Sequence, residues 1–101
     1  MKQQLQQVST QLQFPIIGTL AQLRQQFPEH IILLRLGDFY EAFDRDAETV
    51  AEVCGVVLCS RARGARQPMA GIPYYCLEQY AKMLTAAGHK VAVADPFEVE
   101  A

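Results

Sequence analysis

The sequence has few of the residues on which several protein classes depend. It contains no tryptophan, two histidines and three cysteines in 101 residues, and no two cysteines form a Cys-x-x-Cys pair. An odd number of scattered cysteines argues against a disulfide framework and favours a reducing, cytoplasmic setting. We interpret Cys54, Cys59 and Cys76 as small apolar packing residues. His30 and His89 lie far from them in sequence, so we expect no metal site.

Long hydrophobic runs and an excess of positive charge are also missing. No apolar run approaches the roughly 18 residues that cross a membrane, and the first residues, MKQQLQQVSTQLQ, lack the apolar centre of a secretory signal. We therefore expect no membrane partner. With 9 Lys and Arg against 11 Asp and Glu, the formal net charge is −2. Overall charge therefore cannot draw the chain to DNA, and nucleic-acid binding would need a local basic patch.

The signatures of several common enzyme classes are absent as well. The sequence has no G-x-x-x-x-G-K-[ST] loop for phosphates, no G-x-S-x-G nucleophile turn and no His-Glu-x-x-His metal motif. Asp38 and Glu41 are three residues apart on a predicted extended segment, so their carboxylates point to opposite faces. We therefore expect a protein that is not an enzyme, with no catalytic residue and no cofactor.

The composition is that of a globular protein, with 50% hydrophobic and 20% charged residues. Apolar residues at spacings of three and four predict helices over residues 16–27, 44–55 and 77–88. Apolar and β-branched runs predict strands over residues 30–36, 39–43, 56–59 and 90–94, and residues 69–74 form a tight apolar segment. Strands interleaved with helices indicate an α/β domain, with a mixed β-sheet flanked by about three helices.

The two ends of the chain are interpreted separately. Residues 1–14 are rich in glutamine, and Leu5, Val8 and Leu12 lie at helical spacing, so this segment is either a helix or an unstructured tail. Residues 15–96 are predicted to form the folded module. Residues 97–101 are predicted to be an acidic tail.

Two short segments carry the strongest functional signal. Residues 37–43 are Gly-Asp-Phe-Tyr-Glu-Ala-Phe, and residues 68–74 are Pro-Met-Ala-Gly-Ile-Pro-Tyr. In this order, and within this succession of helices and strands, they resemble the N-terminal domain of the MutS family, which recognises mismatched DNA. The resemblance extends from about residue 15 to residue 95, and it implies the α/β fold of that domain.

The resemblance implies roles for two side chains of the first segment. In the family an aromatic ring wedges into the minor groove and stacks on the mispaired base, while a carboxylate hydrogen-bonds that base. These groups correspond to Phe39 and Glu41. On an extended segment these two side chains point the same way, and Tyr40 points the other way. An apolar wedge must unstack bases, which costs less at a mismatch.

Further candidate DNA contacts lie next to the second segment. Arg61, Arg63 and Arg66 occur in a polar loop within a long stretch that has no acidic residue. Such a patch is suited to phosphate contacts that are independent of base sequence and sensitive to salt. A solvated loop without DNA contacts is the alternative. Pro68 and Met69 resemble the part of the family's domain that runs along the minor groove beside the wedge.

Two functional hypotheses remain open. The first is a module that binds double-stranded DNA, preferably mismatched, through Phe39 and Glu41. Members of the family are many times longer, act as dimers and couple DNA binding to an ATPase, so we expect weak binding from this chain alone. The second is a protein-interaction or regulatory module that keeps the fold and acts on a repair or replication protein.

Overall fold

A computed structural model describes residues 4–12, 16–60 and 67–97 of the chain. The sheet is built from six strands, with three α-helices packed on it and a short 3-10 helix at Tyr74–Cys76. In chain order the elements are β1 (Leu5–Gln11), α1 (Ile16–Gln26), β2 (His30–Leu36), β3 (Phe39–Phe43), α2 (Arg45–Cys54), β4 (Cys59–Ser60), β5 (Pro68–Pro73), α3 (Leu77–Ala86) and β6 (Lys90–Phe97). None of the described helices has the length and hydropathy needed to cross a membrane.

The strands form one mixed sheet in the order β1-β6-β2-β3-β5-β4. β6 lies between β1 and β2 and is parallel to both, whereas β3, β5 and β4 continue the sheet with antiparallel pairings. The prediction of an α/β domain with a mixed sheet and about three helices is confirmed.

Each face of the sheet packs against a different set of helices. Residues 31–34 of β2 and 91–94 of β6 are buried on both sides, which confirms the prediction that these two runs are core strands. One core cluster contains Val50 of α2 and Leu84 of α3, together with the β2 side chain of Leu33. The other contains Leu20 and Leu23 of α1, together with the buried side chains of β2 and β6 that point to the opposite side of the sheet. Successive side chains of a strand point to opposite sides of the sheet. One side therefore packs against α2 and α3 and is called the α2–α3 face, and the other packs against α1 and is called the α1 face.

The turn and caps around β3 fix where its side chains point. β2 and β3 form a hairpin through Gly37 and Asp38, and Gly37 takes the positive φ of 64° that this tight turn requires. Asp44 precedes α2 at the N-cap position, but its side chain does not cap the helix. Its Oδ2 accepts hydrogen bonds from Arg24 at 2.8 Å and from Gln67 at 3.2 Å. Asp44 thereby connects α1 to the residue preceding β5.

The interpretation of residues 1–14 as a helix or a tail was wrong for Leu5–Gln11, which forms strand β1. The outer edge of β6 offers unpaired backbone groups, and β1 pairs with it in parallel along its whole length. Val8 and Leu12 pack against the core on the α1 face. Leu5, Val8 and Leu12 would lie on one face of a helix. In a strand successive side chains point to opposite sides, so Leu5 lies on the opposite face from Val8.

Two other predictions of local structure differ from the structure. The strand predicted over residues 56–59 is replaced by a shorter and later one, Cys59–Ser60, because, of the described residues after α2, only these two pair with β5, opposite Met69 and Pro68. The last strand continues beyond residue 94 to Phe97, because β1 supplies partners for this extension. The predicted acidic tail therefore begins within β6, and residues 98–101 lie outside the described residues.

Candidate nucleic-acid interface

Helix α1 leaves part of its face of the sheet uncovered. The helix packs over β2, β6 and the Phe43 end of β3, and the rest of β3 with β5 and β4 exposes a groove of about 460 Å³ on the same face. The lining side chains come from β3, β4, β5 and the segment after α2, and they are mainly apolar. They are Phe39, Glu41, Val57, Cys59, Met69, Gly71 and Pro73.

The groove contains both side chains of the predicted recognition pair. Phe39 and Glu41 line it together, and the ring of Phe39 is 45% exposed opposite Pro73. Tyr40 is buried on the other face, where its hydroxyl donates a 2.8 Å hydrogen bond to Asp95. The predicted alternation of these three side chains is confirmed. Burial of Tyr40 fixes the orientation of β3, and therefore directs its two neighbours into the groove.

Glu41 lies in the middle of the sheet, between Leu34 of β2 and Gly71 of β5. Its side chain is partly buried, and this burial raises the pKa of the carboxyl above its ordinary value. No residue in the described ranges donates a hydrogen bond to this carboxylate or forms an ion pair with it. Within the described part of the chain, the site therefore presents a carboxyl without a partner in mainly apolar surroundings, and a ligand can reach it from the open side.

The second predicted segment runs beside this pair. Met69 lies opposite Phe43 in β3 and Cys59 in β4, and its side chain lines the groove. Pro68 begins β5, and its carbonyl accepts a 2.9 Å hydrogen bond from the backbone of Asp44. Both residues belong to a regular strand at the β4 end of the groove.

The three predicted phosphate contacts, Arg61, Arg63 and Arg66, lie outside the described residues. The structure does place the two ends of the segment that carries them. Ser60 ends β4 directly opposite Pro68, and Gln67 is held to Asp44 by its side-chain amide. Both ends of the segment are therefore adjacent to the groove.

The structure adds residues that the sequence patterns did not indicate. The interpretation of the cysteines holds for Cys54, which is buried, and for Cys76, which packs against the core. It was wrong for Cys59, which is exposed in the groove because β4 is the last strand of the sheet. Val57 is 75% exposed at the same edge. A strand of two residues is too short for alternation to reveal such positions.

Comparison with known proteins identifies the family to which the chain belongs. Residues 14–101 match the family model of MutS domain I, so β1 precedes the matched residues. The DNA mismatch repair protein MutS of Thermotoga neapolitana is 46% identical over 84 residues, covering 83% of this chain and 10% of that protein. The MutS proteins of Thermotoga maritima and Methanothrix thermoacetophila are 45% and 41% identical, with the same coverage. The chain thus spans about a tenth of the length of these relatives. By the family match and these identities, the chain belongs to the MutS domain I family.

Proposed function

We propose that this chain is a DNA mismatch-recognition module, in which Phe39 stacks on a mispaired base and Glu41 hydrogen-bonds it. The observation that supports this most directly is that one open groove holds an exposed aromatic side chain beside a carboxyl that has no partner among the described residues. This groove belongs to a chain of the MutS domain I family. Residues 15–96 are proposed as the MutS domain I-like module, to whose sheet β1 adds an edge strand.

Phe39 has the position that a wedge requires. It lies at the start of β3, immediately after the tight turn at Gly37, and the rest of the strand is fixed in the sheet. A rigid support matters because inserting a ring between bases costs a few kcal/mol of stacking. That cost is lower where the bases are mispaired and the duplex bends more easily. A ring held in this way therefore favours a mismatch over a paired step.

Glu41 is suited to testing whether a base has a free hydrogen-bond donor. Phosphates repel a carboxylate, so close approach is unfavourable unless the carboxylate meets a donor or takes up a proton. The raised pKa of Glu41 makes proton uptake easier as DNA approaches. In a paired base the Watson–Crick donors are already occupied, so the repulsion is not compensated. Glu41 therefore contributes discrimination more than affinity.

The surrounding residues are proposed to hold the duplex in register. Pro68 and Met69 lie along the groove, and Arg61, Arg63 and Arg66 are proposed to contact phosphates from the segment between β4 and β5. Such contacts orient the duplex without reading its sequence. Because the net charge of the chain is −2, binding should be weak and strongly dependent on salt.

A second candidate function is docking on a repair or replication protein. Val57 and Leu58 are exposed apolar residues at the sheet edge beside the groove, and the acidic net charge suits a protein partner better than DNA. In this alternative the fold is retained, and Phe39 contacts a protein surface.

The deciding experiment measures the affinity of the chain for matched duplexes and for duplexes with one mismatch, by fluorescence anisotropy at low and at physiological salt. We expect the parent to prefer the mismatch and Glu41→Ala to lose that preference, while its affinity for matched DNA is unchanged or higher. Glu52→Ala, which removes a charge from an exposed position of α2, is the matched control. A parent with no mismatch preference at low salt would favour the docking function instead.

A further inference from the structure

Gly71 occupies the position directly across from Glu41 in the β3–β5 pairing. A Cβ atom added at Gly71 would lie 2.6 Å from Oε1 of Glu41, and 3.1 Å from both Cδ and Oε2. These three atoms of Glu41 are the nearest neighbours of that position. The carboxyl therefore rests on the backbone of Gly71, in the space that any other side chain would fill.

The backbone does not explain why glycine is present at this position. Gly37, Gly55 and Gly88 have the positive φ angles that favour glycine, and Gly71 is not among them. It lies in the regular part of β5, between Ala70 and Ile72, which point into the α2–α3 face of the core. An alanine at residue 71 would therefore keep the strand conformation, and its conflict would be with the end of a flexible side chain.

We propose that Gly71 is a positioning residue that sets the location of the Glu41 carboxyl and thereby the preference for mismatched DNA. Without a side chain at residue 71, the carboxyl lies against the backbone of β5 at the bottom of the groove, on the same face as Phe39. With a methyl group there, the carboxyl must swing up towards solvent, away from the place where the stacked base would meet it. The effect on DNA rests on the proposed function, whereas the effect on the carboxyl does not.

The first experiment requires no DNA. The pKa of the Glu41 carboxyl is measured by NMR titration in the parent and in Gly71→Ala. We expect it to fall towards its ordinary value in the variant, because displacement into solvent relieves the burial that raises it. Cys59 is the other titratable side chain among the described residues that line the groove. Asp46 serves as an internal reference, because burial raises its pKa as well and its carboxylate accepts a hydrogen bond from the backbone of Ile32. The pKa of Asp46 should be the same in the parent and in Gly71→Ala. An unchanged Glu41 pKa would overturn the proposal.

The second experiment is a double-mutant cycle on the ratio of affinities for mismatched and matched duplex. Gly71→Ala should lower this ratio about tenfold when Glu41 is present, the loss expected for one hydrogen bond to a charged group. In the Glu41→Ala background the same substitution should change nothing further. An equal loss in both backgrounds would show that Gly71 acts independently of Glu41, and would overturn the proposal.

The two experiments separate failure of this inference from failure of the proposed function. If the parent has no mismatch preference, the proposed role of Glu41 and Gly71 in DNA recognition is refuted. The titration still decides whether Gly71 sets the position of the Glu41 carboxyl. If Gly71→Ala did not fold, Glu41→Ala should restore folding by removing the clashing atoms. Failure to restore it would refute the contact between the two residues.

Discussion

Phe39 and Phe43 stand at opposite ends of strand β3, and they differ sharply in environment. Phe39 is 45% exposed, whereas Phe43 is 1% exposed in the α1-face core. Both point to the same side of the sheet, so alternation does not distinguish them. The difference arises because α1 covers one end of this face and leaves the other open.

This difference predicts opposite effects for the same substitution. Phe39→Ala should change the free energy of unfolding by less than about 1 kcal/mol and should lose about 1–3 kcal/mol of base stacking at a mismatch. Phe43→Ala should cost about 3–5 kcal/mol of stability. Urea unfolding and anisotropy on the same samples measure both quantities. Tyr75→Ala is the control for loss of an exposed aromatic ring, since Tyr75 is 77% exposed outside the groove. A large loss of stability in Phe39→Ala would assign that ring to the core.

The raised pKa of Glu41 predicts a pH-dependent gain in stability on replacement by glutamine. The folded state holds the Glu41 proton more tightly than the unfolded state, so stability falls as pH rises from the ordinary value of 4.5 through the raised one. Glu41→Gln should therefore be more stable than the parent at neutral pH, by less than about 1 kcal/mol because solvent screens a half-exposed carboxyl.

The comparison is made by thermal unfolding at neutral pH and well below the ordinary pKa of the carboxyl. The gain should vanish in acid, where Glu41 is protonated in both states. Asp46 also has a raised pKa, but it is common to both proteins and cancels in the difference. Glu52→Gln controls for removal of a negative charge at an exposed site of α2. A gain of the same size at both pH values would show that burial of the charge is not its cause.

Among the elements, β1 is the one whose role differs most from the sequence expectation. It covers the outer edge of β6, whose residues 91–94 are fully buried. Long apolar strands with a free edge tend to pair with other chains. By adding a polar, glutamine-rich outer strand, β1 closes this edge of the sheet to such pairing.

A pair of substitutions in β1 tests this assignment. Val8→Asp places a charge against the α1-face core, and should cost about 2–4 kcal/mol of stability. Ser9→Asp, one residue later, points to the exposed side and should change stability by less than about 0.5 kcal/mol. Urea unfolding measures both, and light scattering reports whether Val8→Asp also promotes association through the freed edge. Equal effects of the two variants would contradict a strand at this position.

At the scale of the whole molecule, the charge distribution decides how DNA can be bound. The net charge is −2, and the arginines between Ser60 and Gln67 form the basic stretch nearest to the groove in sequence. Ser60 and Gln67, which flank this stretch, lie next to strands that line the groove. Affinity should therefore depend on a few local contacts, in contrast to proteins that carry a broad positive surface.

The corresponding prediction concerns the salt dependence of binding. Replacing Arg61, Arg63 or Arg66 singly with Ala should weaken matched and mismatched duplexes alike, and lower the slope of log affinity against log salt by about one unit. Stability should change by less than about 0.5 kcal/mol. Arg45→Ala, at an exposed position of α2, is the matched control. If all three variants kept the parental slope, the loop would be solvated and would not contact phosphate.

Local sequence is sufficient to predict the elements that depend on neighbouring residues. The runs that became β2 and β6 are continuous and apolar, and such runs are stable only in a core strand. Gly37 determined the hairpin turn and Gly55 the end of α2, since both take positive φ. The common direction of Phe39 and Glu41 also followed from sequence, because alternation is a property of any strand.

Which part of the sheet stays open, and what lies beside Phe39 and Glu41, depends on contacts between segments that are distant in sequence. The pairing of Glu41 with Gly71, the exposure of Cys59 and the addition of β1 to β6 each join segments distant in sequence. Their register depends on how whole strands pack, and no local pattern specifies it. The same holds for the groove, which exists because α1 covers one end of this face, where Phe43 is buried, and leaves the other end open.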